Sequence, residues 1–215
     1  MKKLISVLLF TVLLLFSLSG SGSAAVLYDN GPVNGTLDAF NIANGLSVAD
    51  SFTLSSTSTV TGVVLYTWIS GDTPGYLDWY ITSGPFSGSL GVTTYNQGIV
   101  SLSNTFLGTN TYGYNIYKDT FNIPSTTLPG GTYWLQLDNA RGNSDSPNIF
   151  WDDNNGPSQA WQTGTGNLND FNGVPGNNSE AFQILGTTTL PEPSTMLLLG
   201  SGLVGLVAFR KRFRA

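Results

Sequence analysis

The stretch Tyr76-Leu77-Asp78-Trp79-Tyr80-Ile81-Thr82 decides the fold class. Leu77, Trp79 and Ile81 alternate with more polar residues, which is the two-residue period of a β-strand that buries one face. Residues 131–138 repeat this pattern, with three apolar residues alternating with Trp, Gln and Asp. Both segments follow a Pro-Gly pair, which is a typical turn sequence, so each predicts a strand.

Four more segments have the length, the β-branched content or the alternation of strands, namely residues 48–54, 59–69, 115–123 and 180–185. No stretch between the two ends of the chain shows a sustained 3.6-residue period. The pattern therefore predicts an all-β domain over residues 26–186, built as an antiparallel β-sandwich of eight to ten strands, for which a jelly roll is one topology. A domain of this length can bury a genuine core.

Two connections are predicted from their composition. Residues 70–75, Ser-Gly-Asp-Thr-Pro-Gly, have the residues of a hairpin loop between the strands on either side. Residues 139–178 are long, polar and poor in apolar residues, so we expect extended surface loops there.

The composition excludes several classes of protein. The chain has no cysteine and no histidine, which excludes disulfides, zinc-finger sites, thiol nucleophiles and histidine-based triads. A metal would need oxygen ligands, and calcium is the ion that such ligands favour. No other cofactor is predicted.

The charge is unevenly distributed along a chain whose formal net charge is −5. Between residues 26 and 190 only Lys118 and Arg141 are basic, and eleven Asp residues and Glu180 are acidic. Such a domain cannot neutralise phosphates, which excludes ordinary nucleic-acid binding.

The N-terminus has the three parts of a secretory signal peptide. Lys2 and Lys3 precede the apolar run 4–18, and small residues follow over 19–25. We expect residues 1–25 to act as a signal peptide that directs the chain to the Sec translocon. Signal peptidase would then cleave at Ala24 or Ala25.

The C-terminus predicts a transmembrane helix over residues 196–209. This run carries no charge, and a basic tail at 210–215 follows it, with Arg210, Lys211, Arg212 and Arg214. Fourteen helical residues reach about 21 Å, and including residues 193–195 and letting Arg210 snorkel nearly closes the gap to a hydrocarbon core of about 30 Å. The positive-inside rule keeps the tail cytoplasmic, so the β-domain of this inner-membrane intermediate would lie on the periplasmic side.

Residues 187–195 form a linker with the sequence Pro191-Glu192-Pro193-Ser194-Thr195 near its end. Followed directly by the apolar run and by Arg210-Lys211-Arg212, this arrangement resembles the PEP-CTERM sorting signal of Gram-negative bacteria. The resemblance implies processing by an exosortase near Pro191, Glu192 and Pro193. It further implies a cell-surface or extracellular protein, in bacteria that make exopolysaccharide and biofilm matrix.

Oxygen ligands are densest in Trp151-Asp152-Asp153-Asn154-Asn155-Gly156. Asp152, Asp153 and Asn155 would bind calcium if the backbone curled at the glycine. The spacing of an EF-hand is not met, because Thr163 stands where its final glutamate would be. A turn rich in Asp and Asn, without an ion, is the favoured interpretation.

Five tryptophans and nine tyrosines suit a carbohydrate-binding face, although many of these rings must serve the core. Trp134 alternates with apolar neighbours, and Trp151 and Trp161 lie in polar sequence, so these three are the predicted sugar contacts. The domain is predicted not to be an enzyme, because no catalytic motif is present. The sequence favours a non-catalytic structural or interaction role in the exopolysaccharide matrix, then a carbohydrate-binding module, and third a glycan-acting enzyme.

Overall fold

The computed structural model describes residues 24–36, 38–163, 166–167 and 179–188. This part of the chain is all β, and no helix within it is long and apolar enough to cross a membrane. Most of the predicted signal peptide, the Pro-Glu-Pro motif, the predicted transmembrane helix and the basic tail lie outside the described residues. Ala24 and Ala25 lie at the start of the described chain, where the first strand begins.

Fourteen strands occur in the described residues. They are β1 (Ala25–Asp29), β2 (Ala39–Asn41), β3 (Ser47–Leu54), β4 (Ser58–Ile69), β5 (Pro74–Thr82), β6 (Thr94–Ser101), β7 (Ser103–Thr109), β8 (Asn115–Leu128), β9 (Gly131–Gly142), β10 (Ile149–Asn154), β11 (Ala160–Gln162), β12 (Gly166–Asn167), β13 (Ser179–Glu180) and β14 (Phe182–Thr188).

The strands form two antiparallel sheets. The six-stranded sheet has the order β12-β11-β3-β9-β5-β6. The eight-stranded sheet is centred on β4, which pairs with β8 along one edge and with β14 and β10 along the other. Further strands extend it, since β7 pairs with β8, β1 with β14, and both β2 and β13 with β10.

The apolar faces of the two sheets share one core. Trp79 of β5, in the six-stranded sheet, contacts Phe121 of β8 in the other sheet with ring centroids 6.3 Å apart. Leu77 and Ile81 are fully buried on the same face of β5 as Trp79. The predicted β-sandwich is therefore confirmed at the level of two antiparallel sheets that enclose a hydrophobic core.

Five of the six predicted strand segments are found as single strands, with ends that differ by a few residues, and the sixth, 180–185, is divided between β13 and β14. The predicted hairpin at residues 70–75 is wrong, because β4 and β5 belong to different sheets and the connection crosses between them. The prediction of loops over 139–178 is also wrong in part, since β9 continues to Gly142 and β10 and β11 follow.

One end of the core is polar. Along β10, Trp151 is buried with the apolar core, and Asp153, two residues further on, lies on the same face. Asp50 projects from β3 in the opposite sheet and is fully buried. The two sheets therefore enclose acidic side chains where β10 leaves β4.

Candidate functional site

An aromatic cleft of about 390 Å³ lies on the outer face of the eight-stranded sheet. We call it the aromatic cleft, and the residues that line it are Asp38, Ala39, Trp68, Tyr112, Tyr114 and Phe150. Trp68 and Phe150 are cross-strand partners on β4 and β10. Side chains of such partners lie side by side on one face of the sheet, so the two strands form the floor of the cleft.

A tight turn between β7 and β8 supplies the two tyrosines of the cleft. The side-chain oxygen of Asn110 accepts hydrogen bonds from the main-chain N–H groups of Tyr112 and Tyr114, both at 3.0 Å. This turn brings both rings over Trp68. The ring of Tyr112 stacks on Trp68 with centroids 6.2 Å apart and an interplanar angle of 23°.

Asp152 fixes the tryptophan of the cleft from behind. The indole Nε1 of Trp68 donates to Asp152 Oδ1 at 2.5 Å. The main-chain N–H groups of Asn34 and Gly35 donate to the same carboxylate at 2.7 and 2.8 Å. Both oxygens of Asp152 are thus engaged, and the Trp68 ring has a fixed orientation.

The chemistry of the cleft is that of a ligand with an apolar face and hydroxyl groups. Trp68 is almost buried at 5% exposure, whereas Tyr112 is 63% exposed and can be reached by a ligand. Asp38 is the one acidic residue in the lining. The sequence contained a signal for this site, because Tyr66 and Trp68 alternate with inward-facing residues of a predicted strand and must therefore face outwards.

Two of the three predicted sugar contacts lie together. Trp134 on β9 and Trp161 on β11 are half-buried on the outer face of the six-stranded sheet, with ring centroids 6.4 Å apart in an edge-to-face arrangement. Trp161 pairs with Ala49, and Ala49 pairs with Gln136, so the rings share this face with polar side chains. We call this region the Trp134–Trp161 face.

The Trp134–Trp161 face also holds polar groups without partners. Among the described residues, Trp161 Nε1 and Asp138 Oδ1 are buried atoms that make no hydrogen bond. The other oxygen of Asp138 accepts from Ser47 Oγ and from Gln136 Nε2, both at 3.0 Å. Because these atoms are buried, this face is a second candidate through its two half-buried tryptophan rings.

The third predicted sugar contact, Trp151, requires a correction. Its ring is fully buried, packs against Phe182 at 5.5 Å, and donates from Nε1 to the carbonyl oxygen of Ala181 at 3.0 Å. Trp151 belongs to the core because the polar sequence that follows it continues as β10. No face of this ring is open to a sugar.

The calcium group predicted at Asp152, Asp153 and Asn155 is not brought together. Successive residues of β10 point to opposite faces, so the side chains of Asp152 and Asp153 diverge, and Asn155 is exposed beyond the strand. Within the described ranges, no three acidic side chains are grouped closely enough to hold a metal. Residues 152–154 also do not form the expected turn, because they are the last residues of β10.

Asp50 instead anchors a buried polar network. Its Oδ2 accepts from Asn30 Nδ2 at 3.0 Å, from Ser158 Oγ at 2.7 Å and from the main-chain N–H of Glu180 at 2.7 Å. Gly156 lets residues 154–158 approach, since a Cβ atom there would lie 2.3 Å from the main-chain oxygen of Asn30. Burial raises the pKa of Asp50 to about 6, although these donors oppose the shift.

Two further carboxyls lie beside this network. Burial, with the charges of Asp38 and Asp152, raises the pKa of Asp153 to about 7, although the N–H of Ser179 opposes this. Burial raises the pKa of Glu180 well above its usual range, and the neighbouring carboxyls of Asp153 and Asp50 add to the effect. Sequence reasoning missed Glu180, although it is the single glutamate between residues 26 and 190.

Comparison with known proteins identifies the C-terminal segment. Residues 189–212 match the family model described as the PEP-CTERM protein-sorting motif. No curated protein matches the chain. The resemblance seen in the sequence is therefore confirmed, and the motif marks an exported protein that is sorted by an exosortase. The match leaves the activity of residues 26–186 open.

Proposed function

We propose that the exported domain is a non-catalytic surface or matrix protein that binds carbohydrate through the aromatic cleft. The observation that carries this proposal is the stack of Tyr112 on Trp68, with Phe150 beside it on the floor of the cleft. Sugar rings present C–H patches that pack on aromatic rings, and their hydroxyl groups need polar partners at the edge.

The polar partner in the cleft is the carboxylate of Asp38, which is exposed. A carboxylate accepts hydrogen bonds from sugar hydroxyls, and it disfavours an anionic ligand. The acidic balance of the domain acts in the same direction. We therefore expect a neutral polysaccharide, such as a neutral exopolysaccharide of the matrix, rather than a uronic-acid polymer.

The non-catalytic assignment follows from where the carboxyls lie. Glycoside hydrolysis needs two carboxyl groups on either side of the scissile bond. The lining of the aromatic cleft supplies one, from Asp38. The carboxyls of Asp153 and Glu180, whose pKa values are raised, are buried at 4% exposure or less, so a glycan cannot reach them.

Export and sorting supply the location for this activity. The sorting motif marks an exported protein. We propose that it travels through the Sec translocon, loses residues 1–25 to signal peptidase, and remains held by its C-terminal helix until exosortase acts. The domain would then meet exopolysaccharide outside the cell.

The Trp134–Trp161 face is the second candidate for the same function. Its two rings meet edge to face rather than forming a flat platform. A sugar bound there would contact the exposed parts of the two rings, because Trp161 Nε1 and the unpaired oxygen of Asp138 are themselves buried. The two candidates are separable because they lie on different sheets.

The test is binding of the full chain, purified in detergent, to a glycan array and to matrix polysaccharide. We expect saturable binding that falls at least tenfold in Tyr112→Ala and changes little in Trp161→Ala. Tyr76→Ala is the matched control, because Tyr76 is also exposed, at 39%, but lies on β5 outside the cleft. Loss in Trp161→Ala alone would move the site to the Trp134–Trp161 face, and no saturable binding would overturn the carbohydrate proposal.

A further inference from the structure

Glu180 is a buried carboxyl without any visible hydrogen-bond donor. Its residue is 0% exposed, and within the described part of the chain neither Oε1 nor Oε2 has a hydrogen-bond partner. Burying an ionised carboxylate in this way is strongly unfavourable unless a positive charge or several donors compensate it. The position therefore requires a partner that the described residues do not supply.

The surroundings of Glu180 supply more negative charge. Asp153 is its direct cross-strand partner between β10 and β13, so the two carboxyls lie on one face of the sheet. The charges that act on Glu180 come from Asp153, Asp50, Asp152 and Asp38, and all of them raise its pKa. Neither Lys118 nor Arg141 contributes to this environment.

Asp50 is a buried carboxylate that, unlike Glu180, has several hydrogen-bond donors. It accepts from the side chains of Asn30 and Ser158 and from main-chain N–H groups. Glu180 has no comparable arrangement. A proton on Glu180 would remove its charge, but the resulting O–H would still lack an acceptor among its described neighbours.

We propose that Glu180 and Asp153 bind a calcium ion between β10 and β13. One cation would neutralise both carboxyls and give the unpaired oxygens of Glu180 a partner. The chain offers no sulfur or imidazole ligand from Cys or His, so the site selects a hard cation. Calcium accepts six to eight oxygen ligands in irregular geometry, including carbonyls and water.

Two carboxylates suffice for such a site if neutral oxygens complete it. This matters because no three acidic groups of the described residues cluster to hold a metal. The site differs from the predicted one, since it uses Glu180 in place of Asp152 and Asn155. It is also independent of carbohydrate binding, because its oxygens are buried and the aromatic cleft is open.

Bound calcium would stabilise the fold by linking β13 to β10. The test is thermal unfolding, followed by circular dichroism, of the full chain in detergent after removal of metal with EGTA. With a Kd of about 1 mM, typical of extracellular calcium modules, 10 mM CaCl2 should raise Tm by about 3–6 °C. Equilibrium dialysis with radioactive calcium should show one bound ion per chain.

Glu180→Gln is the diagnostic variant. Without calcium its Tm should equal or exceed that of the wild type, because a buried charge is removed, and 10 mM CaCl2 should no longer raise it. Asp145→Asn is the matched control, since Asp145 is an exposed acid at a positive φ of 61° that Asn also adopts, and it should keep the full calcium response.

The outcomes that overturn the proposal are distinct. A Tm of the wild type that does not change with calcium overturns the site. A calcium response of Glu180→Gln equal to that of the wild type overturns the assignment of Glu180 as a ligand. An equal rise with MgCl2 overturns the assignment of calcium as the preferred ion. Failure of glycan binding leaves all three measurements unaffected.

Discussion

Glu180 lies directly opposite Asp153 in the antiparallel pair of β10 and β13, and its main-chain N–H donates to Asp50 Oδ2 at 2.7 Å. One residue therefore brings together acidic groups from both sheets of the sandwich. Its main chain satisfies one carboxylate, and its side chain adds another that is unsatisfied. The polar end of the core thus contains the hydrogen-bonded network of Asp50 beside a carboxyl whose oxygens have no hydrogen-bond partner among the described residues.

Asp50→Ala should strongly destabilise the domain. The change removes the acceptor of the Ser158 hydroxyl and of the Glu180 N–H, and one of the acceptors of Asn30 Nδ2. Each such group costs about 1–3 kcal/mol, so we expect a loss of roughly 3–5 kcal/mol in the free energy of unfolding. Urea denaturation followed by circular dichroism measures it.

Asp50→Asn is the control for that loss. Asparagine keeps an acceptor oxygen of the same reach, so this variant should lose less stability than Asp50→Ala. Equal losses in the two variants would contradict the assignment of Asp50 as the acceptor that holds the network together.

Trp151→Ala should reduce the free energy of unfolding of the domain. The ring is fully buried against Phe182, and truncating a buried tryptophan costs about 3–5 kcal/mol. Trp161→Ala, at a half-buried ring, should cost clearly less. Denaturant midpoints of the two variants provide the measurement, and similar midpoints would contradict the placement of Trp151 in the core.

The strands were predictable because their signal is local. In β5 and β9 each apolar residue and its polar neighbour already specify which face is buried. The connection over 70–75 was predicted wrongly because turn residues specify that the chain reverses and carry no information on which sheet the next strand joins.

The polar part of β10 could not be predicted in the same way. Asp152, Asp153 and Asn154 read as a loop because buried strands are usually apolar. They are buried because their partners come from far along the chain: Asp152 accepts from the main chain of Asn34, and Asn154 donates to the carbonyl oxygen of Asn30 at 2.9 Å. Contacts between such distant residues leave no periodic signal. The alternation in β4 indicates that Trp68 faces outwards, but the aromatic cleft was missed because its other rings come from two separate segments.

Processing by exosortase predicts the C-terminus of the exported protein. In cells with exosortase, mass spectrometry of the mature protein should find no tail from Arg210 to Arg214. Glu192 is the one charge in the motif at 191–195, so Glu192→Ala should leave the tail attached. A strain without exosortase is the control. Persistence of the tail on the wild-type protein in the parent strain would show that the segment acts as a plain anchor.

The carboxyl of Asp119 makes the free energy of unfolding depend on pH, and the substitution Asp119→Asn isolates its contribution. It is fully buried, and it accepts from Thr67 Oγ1 at 2.6 Å and from Asn104 Nδ2 at 2.7 Å. Burial raises the pKa of Asp119 from 3.8 to about 6, and these two donors only partly oppose it. No charged side chain of the described residues contributes to the shift, so the effect belongs to this residue.

The sign follows from proton binding. Between pH 4 and pH 6 the folded state keeps a proton on Asp119 that the unfolded state has lost, so the free energy of unfolding falls as pH rises through this window. The raised pKa corresponds to about 3 kcal/mol, fully present as a penalty above pH 6. Relative to the wild type, Asp119→Asn should therefore gain about 2 kcal/mol between pH 4 and pH 7, because part of the penalty is already present at pH 4.

Urea denaturation at pH 4, 5, 6 and 7 measures this difference. Contributions from Asp50, Asp153 and Glu180 are common to both proteins and cancel, and any hydrogen bond that asparagine loses shifts the difference equally at every pH. Asp145→Asn, which replaces an exposed acid, is the matched control. A difference between Asp119→Asn and wild type that stays constant from pH 4 to pH 7 would mean that Asp119 is already ionised in the folded protein at pH 4.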